Sequence, residues 1–253
     1  MRKLGEKVKA WLIRDKYAGD KSATLADDLG RLRKGEPVDY VIGWSDFCGC
    51  RIGLETRPLI PRSETEYWAE QAVKEIGGKP VKCLDIFSGS GCVGIAVLKH
   101  CPNATMDFGE KSAKFCRQIK TNCDLNGIDL KHYRVIQSDI FNPRILGGKA
   151  SKLGKYDLIL ANPPYVPAGR KLDKSVTDWE PAGALYAKDD GLFLIKKFLG
   201  QAKKHLNAGG KIYLEFDSGQ KTTLAKLLTE FEYKNIDFHK DQFGRWRFVA
   251  FQN

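Results

Sequence analysis

The stretch VKCLDIFSGSGCVGIAVLKH, residues 81–100, decides the fold. VKCLDIF is a short apolar strand ending at Asp85, Gly89-Ser90-Gly91 is a loop, and the run from Cys92 to His100 reads as a helix. The rhythm repeats downstream. ATMDF (104–108) is a strand, and Lys111–Asp124 is a helix with Phe115, Ile119 and Cys123 on one face. Tyr133–Gln137 and Tyr156–Ala161 are strands, Leu192–Leu206 a helix, Lys211–Phe216 a strand and Gln220–Phe231 a helix. Asn235–His239 and Trp246–Phe251 follow as strands with no helix between them, so they pair antiparallel. Strands alternating with helices predict an α/β chain with a doubly wound, mostly parallel seven-stranded sheet that ends in an antiparallel hairpin.

Upstream of residue 81 the pattern differs. LIPRSETEYWAEQAVKEI holds Ser63 and, three residues on, Glu66, a capping-box pattern that predicts a helix start. Residues 38–60 carry β-like runs (Tyr40–Ile42, Arg51–Leu54) between Gly43, Gly49 and Gly53, which predicts a hairpin. Residues 1–35 read as helical: Leu4, Val8, Leu12 and Ile13 recur at helical spacing, and Ser22 is placed to cap a second run through Leu25, Leu29 and Leu32. The expected division is a short helical region (1–36), a hairpin linker (37–60) and the α/β domain (61–253).

Composition sets outer bounds. The chain has 253 residues, 42% apolar and 29% charged, which is globular and excludes wholesale disorder. No run of 18 apolar residues is present, so no membrane helix is expected, and the basic N-terminus lacks the apolar segment of a signal peptide. Seven cysteines without a CxxC pair, and four histidines far apart, argue against a zinc site or a secreted disulfide framework, so no metal and a reducing cytoplasm are expected. The net charge of +11 admits weak contact with nucleic acid or a ribosome through the basic surface, with Arg2, Lys3, Lys7, Lys9, Arg14 and Lys16 along the first helix. Lysine used only for solubility is the plainer alternative.

The glycine loop carries the first chemical signal. Gly89 and Gly91 let the backbone approach a ligand, and the helix N-terminus beyond offers unpaired amides, Ser90 included. Glu110 ends the next strand, where a carboxylate can accept both hydroxyls of a ribose. Asp139 ends the third, where a carboxylate can accept from an adenine amino group. There is no GxGxxG, since positions 87–92 read FSGSGC, and no Gly-Lys-Ser/Thr follows. A nucleoside without pyrophosphate remains: S-adenosylmethionine, whose sulfonium tolerates Asp85 nearby.

The second signal is YDLILANPPYVP, which puts Asn162, Pro163, Pro164 and Tyr165 just past a strand's C-terminal end, the ligand-binding edge of an open parallel sheet. Two prolines stiffen the turn. The Asn162 side chain and the Pro163 carbonyl can accept both hydrogens of a planar –NH2 group, and Tyr165 can stack on the group that carries it. Such a grip aims the nitrogen lone pair and favours a tetrahedral transition state. A Pro-Pro turn that merely ends a strand is the bland alternative.

Asp85–Gly91, Glu110, Asp139 and NPPY together resemble a class I S-adenosylmethionine-dependent methyltransferase that methylates amino groups. PVDYVIGWSDFCGCRIGLETRPLIPRSETE before the domain, WEPAGALYAKDDGL after NPPY and FGRWRFVAF at the end are similar to the HemK/PrmC family. That family methylates the N5 of the glutamine in the Gly-Gly-Gln loop of peptide chain release factors. The resemblance implies that Asn162 and Pro163 hold the glutamine amide, Tyr165 lines its slot, and Asp85, Gly89 and Gly91 cradle the methionine part of the cofactor. It implies Glu110 at the ribose, Asp139 at the adenine, Pro61 and Arg62 at the cleft border, and Glu180 and Pro181 on the substrate side. Arg62 in a surface pair with Glu64 or Glu66, and Glu180 as an exposed cap, are the competing readings. Phe87 stands where the family's loop has its first glycine, Glu110 where Asp is commoner, and the N-terminal region is about half the family's usual length. A ribosomal-protein glutamine, or an adenine-N6 or guanine-N2 amino group of nucleic acid, would suit the same NPPY chemistry. The scattered histidines supply no general base, and none is needed, because the methylated nitrogen can lose its proton to water.

Overall fold

The computed structural model describes residues 2–20, 22, 24–143 and 152–253, with the side chains of residues 2–5 outside the described part. In chain order the elements are α1 (Arg2–Trp11), α2 (Ala26–Arg33), α3 (Val38–Ile42), the hairpin β1 (Trp44–Phe47) and β2 (Cys50–Gly53), and α4 (Ser63–Ile76). Then come β3 (Lys82–Ile86), α5 (Cys92–His100), β4 (Thr105–Glu110), α6 (Ala113–Leu125), β5 (Tyr133–Asp139), β6 (Asn142–Pro143) and β7 (Tyr156–Ala161). Short pieces follow: β8 (Val166–Pro167), α7 (Lys174–Thr177), α8 (Ala182–Leu185) and β9 (Tyr186–Ala187). The chain closes with α9 (Phe193–Ala202), β10 (Leu206–Glu215), α10 (Lys221–Glu230), β11 (Lys234–Lys240) and β12 (Trp246–Gln252).

The main sheet runs β11-β12-β10-β7-β3-β4-β5-β6. The five strands β10, β7, β3, β4 and β5 are parallel neighbours. β12 slots antiparallel between β10 and β11, as the missing crossover helix predicts. The seven strands expected are present, and β6 adds a two-residue edge piece. β3 reads as a near-continuous apolar run because helices cover both faces of the sheet. One core lies under α4, α5 and the hairpin, with Trp68, Ile95 and Phe108 fully buried. The other lies under α9 and α10, with Phe198, Leu214 and Leu224 fully buried. From β3 the chain winds outward through β4 and β5, then returns to β7 on β3's other side. The C-terminal ends of β3 and β7 therefore flank the switch point, where a doubly wound sheet opens a cleft.

Several local expectations are corrected. Tyr40–Ile42 is helix, not strand: Pro37 starts it, Gly43 at φ 96° ends it, and Tyr40 and Val41 face the core. The hairpin instead pairs Trp44 with Gly53 and Phe47 with Cys50, and turns at Cys48 and Gly49, both at positive φ (50° and 70°). That turn geometry matches the right-handed twist of the strands. Ser22 caps no helix: it bonds the Asp20 carboxylate, and α2 starts at Ala26. The capping box at Ser63 does not form. Ser63 is the first helical residue, and the Glu66 carboxylate accepts the Cys48 amide at 2.6 Å instead. Of the basic residues along the first helix, Arg14 pairs with Asp15 and Lys16 with Asp28 within the chain; the side chains of Arg2, Lys3 and Leu4 lie outside the described residues. No helix among the described residues is long and apolar enough to cross a membrane.

Candidate active site

A cavity of about 320 Å³ opens at the switch point. One side of it is built by the loop between β3 and α5. Gly89 and Gly91 hold φ of 56° and 81°, and the Gly91 amide donates to the Ser88 carbonyl at 2.7 Å. Two carboxylates shape this loop through its own backbone. Asp85 accepts the Gly94 amide at 3.0 Å, inside α5. Glu110 accepts the Gly89 amide at 2.9 Å and the Ser112 amide at 2.7 Å. Both are almost fully buried, and burial raises both above the usual carboxylate range, Asp85 up to about 7. Gly94 has a steric reason to be glycine: a Cβ there would stand 2.3 Å from the Phe108 ring. Asp139 sits at the mouth, half exposed, 3.3 Å from the Lys111 ammonium. Its neighbour Ser138 also lines the cavity, and the buried Ser138 hydroxyl finds no partner among the described residues.

The other side is the NPPY corner after β7. Asn162 and Pro164 line the large cavity. Pro163 and Tyr165 line a smaller one of about 60 Å³, which shares Leu59, Arg62, Asn162 and Ala184 with it. Asn162 Nδ2 donates to the Thr65 hydroxyl at 3.2 Å. Among the described residues nothing donates to the Pro163 carbonyl. The Tyr165 hydroxyl points inward and donates to Glu215 at 2.9 Å. Burial, then the nearby Glu215 charge, keep this phenol protonated by raising it well above its ordinary value. Arg62 lines both cavities and is ion-paired with Glu180, a buried carboxylate that also accepts the Ile60 amide at 3.1 Å. Neither competing reading of these two residues holds: Arg62 pairs with neither Glu64 nor Glu66, and Glu180 is not exposed.

Sequences named Release factor glutamine methyltransferase align with nearly the whole chain. That of Lactococcus lactis subsp. lactis (strain IL1403) is 31% identical over 242 residues, 94% of this chain and 86% of its own length. That of Streptococcus pneumoniae (strain ATCC BAA-255 / R6) is 32% identical over 232 residues, 89% of this chain and 78% of its own. The chain belongs to the release factor glutamine methyltransferase family. A family model described as Methyltransferase small domain matches residues 70–179. Among solved structures, a methyltransferase from Pyrococcus furiosus superposes with a TM-score of 0.59 at 19% identity, over 89% of this chain and 98% of that one. A ribosomal protein L11 methylase from Lactobacillus delbrueckii subsp. bulgaricus gives 0.56 at 20% identity, over 79% of this chain and 82% of that one. These two share the class I methyltransferase fold.

In this member of the family Phe87 takes the left-handed conformation itself, at φ 62°, so the turn keeps the path a glycine would give it. Its ring packs 6.2 Å from Phe198. Glu110 spends its longer reach on two loop amides. The four histidines contact the backbone carbonyls of Cys48, Ala104 and Gly154 or the Asp237 carboxylate, and none lines either cavity. No cluster able to hold a metal occurs among the described residues.

Two residues escaped the sequence reading. Glu215, 1% exposed, accepts Thr65 Oγ1 at 2.7 Å, Trp68 Nε1 at 2.6 Å and the Tyr165 hydroxyl. Thr65 joins that carboxylate to Asn162. A carboxylate ending a buried strand (YLEF) was the available signal for Glu215; Thr65, hidden in an ordinary helix start, gave none.

Proposed function

We propose that this chain transfers a methyl group from S-adenosylmethionine to the side-chain amide nitrogen of the glutamine in the Gly-Gly-Gln loop of a class I peptide chain release factor. The observation that carries the reading is the meeting, at one cleft, of the glycine loop and its buried carboxylates with the Asn-Pro-Pro-Tyr corner, whose residues line that cavity and the smaller one beside it. Family membership supports the choice of a glutamine over a base amino group.

The residues present fit the donor. Asp85 and Glu110 are carboxylates on the wall of the cavity, the Ser138 hydroxyl there lacks a partner among the described residues, and Gly89 and Gly91 keep the loop free of side chains. Asp85, Gly89, Ser90 and Gly91 would hold the methionine part, Glu110 the ribose and Asp139 the adenine amino group. S-adenosylmethionine, when bound, supplies an electrophilic methyl carbon on a sulfonium.

The protein's own work is to present the nucleophile. An amide nitrogen is weakly nucleophilic because its lone pair is delocalised into the carbonyl. Asn162 Oδ1 and the Pro163 carbonyl accept its two hydrogens, so the lone pair faces the donor side and pyramidalisation is favoured as charge develops. Pro164 stiffens the corner, and Tyr165 flanks the amide plane while Glu215 anchors its hydroxyl. The Arg62–Glu180 pair holds the segment around Ile60 and Pro61 against the substrate side. The methylated nitrogen, now cationic, releases its proton to water.

Purified protein, labelled S-adenosylmethionine and a release factor test the reading. Label is expected on the factor, mapped by mass spectrometry to the glutamine and abolished by Gln→Ala in the Gly-Gly-Gln loop. Label entering tRNA, duplex DNA or a ribosomal protein, with none in the factor, overturns it.

A further inference from the structure

Asn162 offers the cleft either an acceptor, Oδ1, or a donor, Nδ2, and the two ends of a carboxamide have nearly the same shape. Only the acceptor end suits a substrate –NH2. What selects it lies behind Asn162, in a chain of hydrogen bonds with a fixed direction. Burial raises the Glu215 carboxyl, while the Trp68, Thr65 and Tyr165 hydrogen bonds and the nearby Arg247 charge act the other way and favour its acceptor form; its Oε2 receives both Trp68 Nε1, at 2.6 Å, and Thr65 Oγ1, at 2.7 Å. The indole N–H can only donate. The Thr65 hydroxyl has one hydrogen, and Glu215 takes it. Toward Asn162, 3.2 Å away, the Thr65 oxygen can then only accept, so Asn162 must turn Nδ2 to it and leave Oδ1 for the cleft.

We propose that Thr65 and Glu215 are positioning residues that set the polarity of the Asn162 carboxamide. Neither touches a reacting atom. They act by making the flipped Asn162 set the lone pairs of its Oδ1 against those of the Thr65 oxygen, or take the Thr65 hydrogen from Glu215, in a buried site. Glu215 also anchors Tyr165, so one carboxylate from the end of β10 orients both polar side chains of the NPPY corner. The inference rests on the proposed glutamine methylation but is tested separately from it.

Thr65→Val keeps the shape and removes the acceptor. With a release factor as substrate, kcat is expected to fall about 10- to 100-fold, while the KM for the factor and the affinity for S-adenosylmethionine change less than about threefold. Thr65→Ser, which restores the hydroxyl, should return kcat to within about threefold of wild type. A general loss of packing would instead lower donor affinity and stability, and serine would not repair it. In the unmutated protein, NMR should show one Asn162 Nδ2 hydrogen protected from exchange, whether or not Thr65→Val folds. A fully active Thr65→Val, a Thr65→Ser as poor as the valine variant, or two freely exchanging Nδ2 hydrogens overturns the proposal. Wild-type protein that leaves the factor unlabelled but protects that hydrogen counts against the substrate, not against this network.

Discussion

On the proposed donor side of the cleft the carboxylates bond the backbone of the adjoining loop and helix start. Asp85 and Gly94 are nine positions apart, and Gly89 and Glu110 twenty-one. On the acceptor side the groups facing the cleft are each held from behind by a residue far along the chain. Asn162 and Thr65 are 97 positions apart, Arg62 and Glu180 are 118, and Thr65 and Glu215 are 150. The donor side is thus a local device, made by one strand-loop-helix unit and its neighbour. The acceptor side exists only after the sheet, α4 and the segment following NPPY have docked. A local device tolerates divergence elsewhere; an assembled one fails when any contributor shifts.

Three measurements bear on that contrast. The largest effect is expected from Asn162→Ala, which should lose at least about 100-fold in turnover, equivalent to about 2.7 kcal/mol, while donor affinity is kept. Calorimetric titration with S-adenosylmethionine and single-turnover kinetics separate the two; a fall in donor affinity with unchanged turnover would merge the two sides into one. Next is Gly94→Ala, which forces a Cβ against Phe108 and should cost about 1–3 kcal/mol of stability, read as a lower melting temperature. Since Gly94 also holds Asp85, donor binding should weaken with it; an unchanged melting temperature would show that α5 can move off the sheet.

The smallest effect is a pH dependence on the donor side. Burial raises Asp85 from the ordinary value to about 7. The folded state then binds a proton that the unfolded state has lost, so this group's contribution to stability declines as pH rises toward about 7 and levels off above it. A cationic ligand favours the ionised form and reverses the trend for binding. S-adenosylmethionine affinity should rise by up to about tenfold between pH 6 and pH 8, and Asp85→Asn should flatten that dependence. A slope retained in the asparagine variant would assign it to Glu110.

The glycine loop, Glu110 and NPPY were legible because each is a run of neighbouring residues at a strand end, where turn chemistry and sheet-edge geometry are written locally. The hairpin was legible in kind but not in register. Tyr40–Ile42 has a strand-like composition, and what makes it a helix is the pair Pro37 and Gly43 at its ends together with burial of Tyr40. The Ser63–Glu66 pattern read as a cap failed for a related reason: a distant amide, that of Cys48, competes for the Glu66 carboxylate and wins.

The order of polar and apolar residues was enough for the alternating sheet, the place of the cleft at its edge and several of the residues that line it, since periodicity and turn preferences act over a few residues. Which way the Asn162 amide turns, and that Glu180 is buried against Arg62 rather than solvated, were settled only by folding. Those outcomes depend on hydrogen-bond partners drawn from opposite ends of the chain, and a buried donor or acceptor takes whichever partner the packing brings within reach.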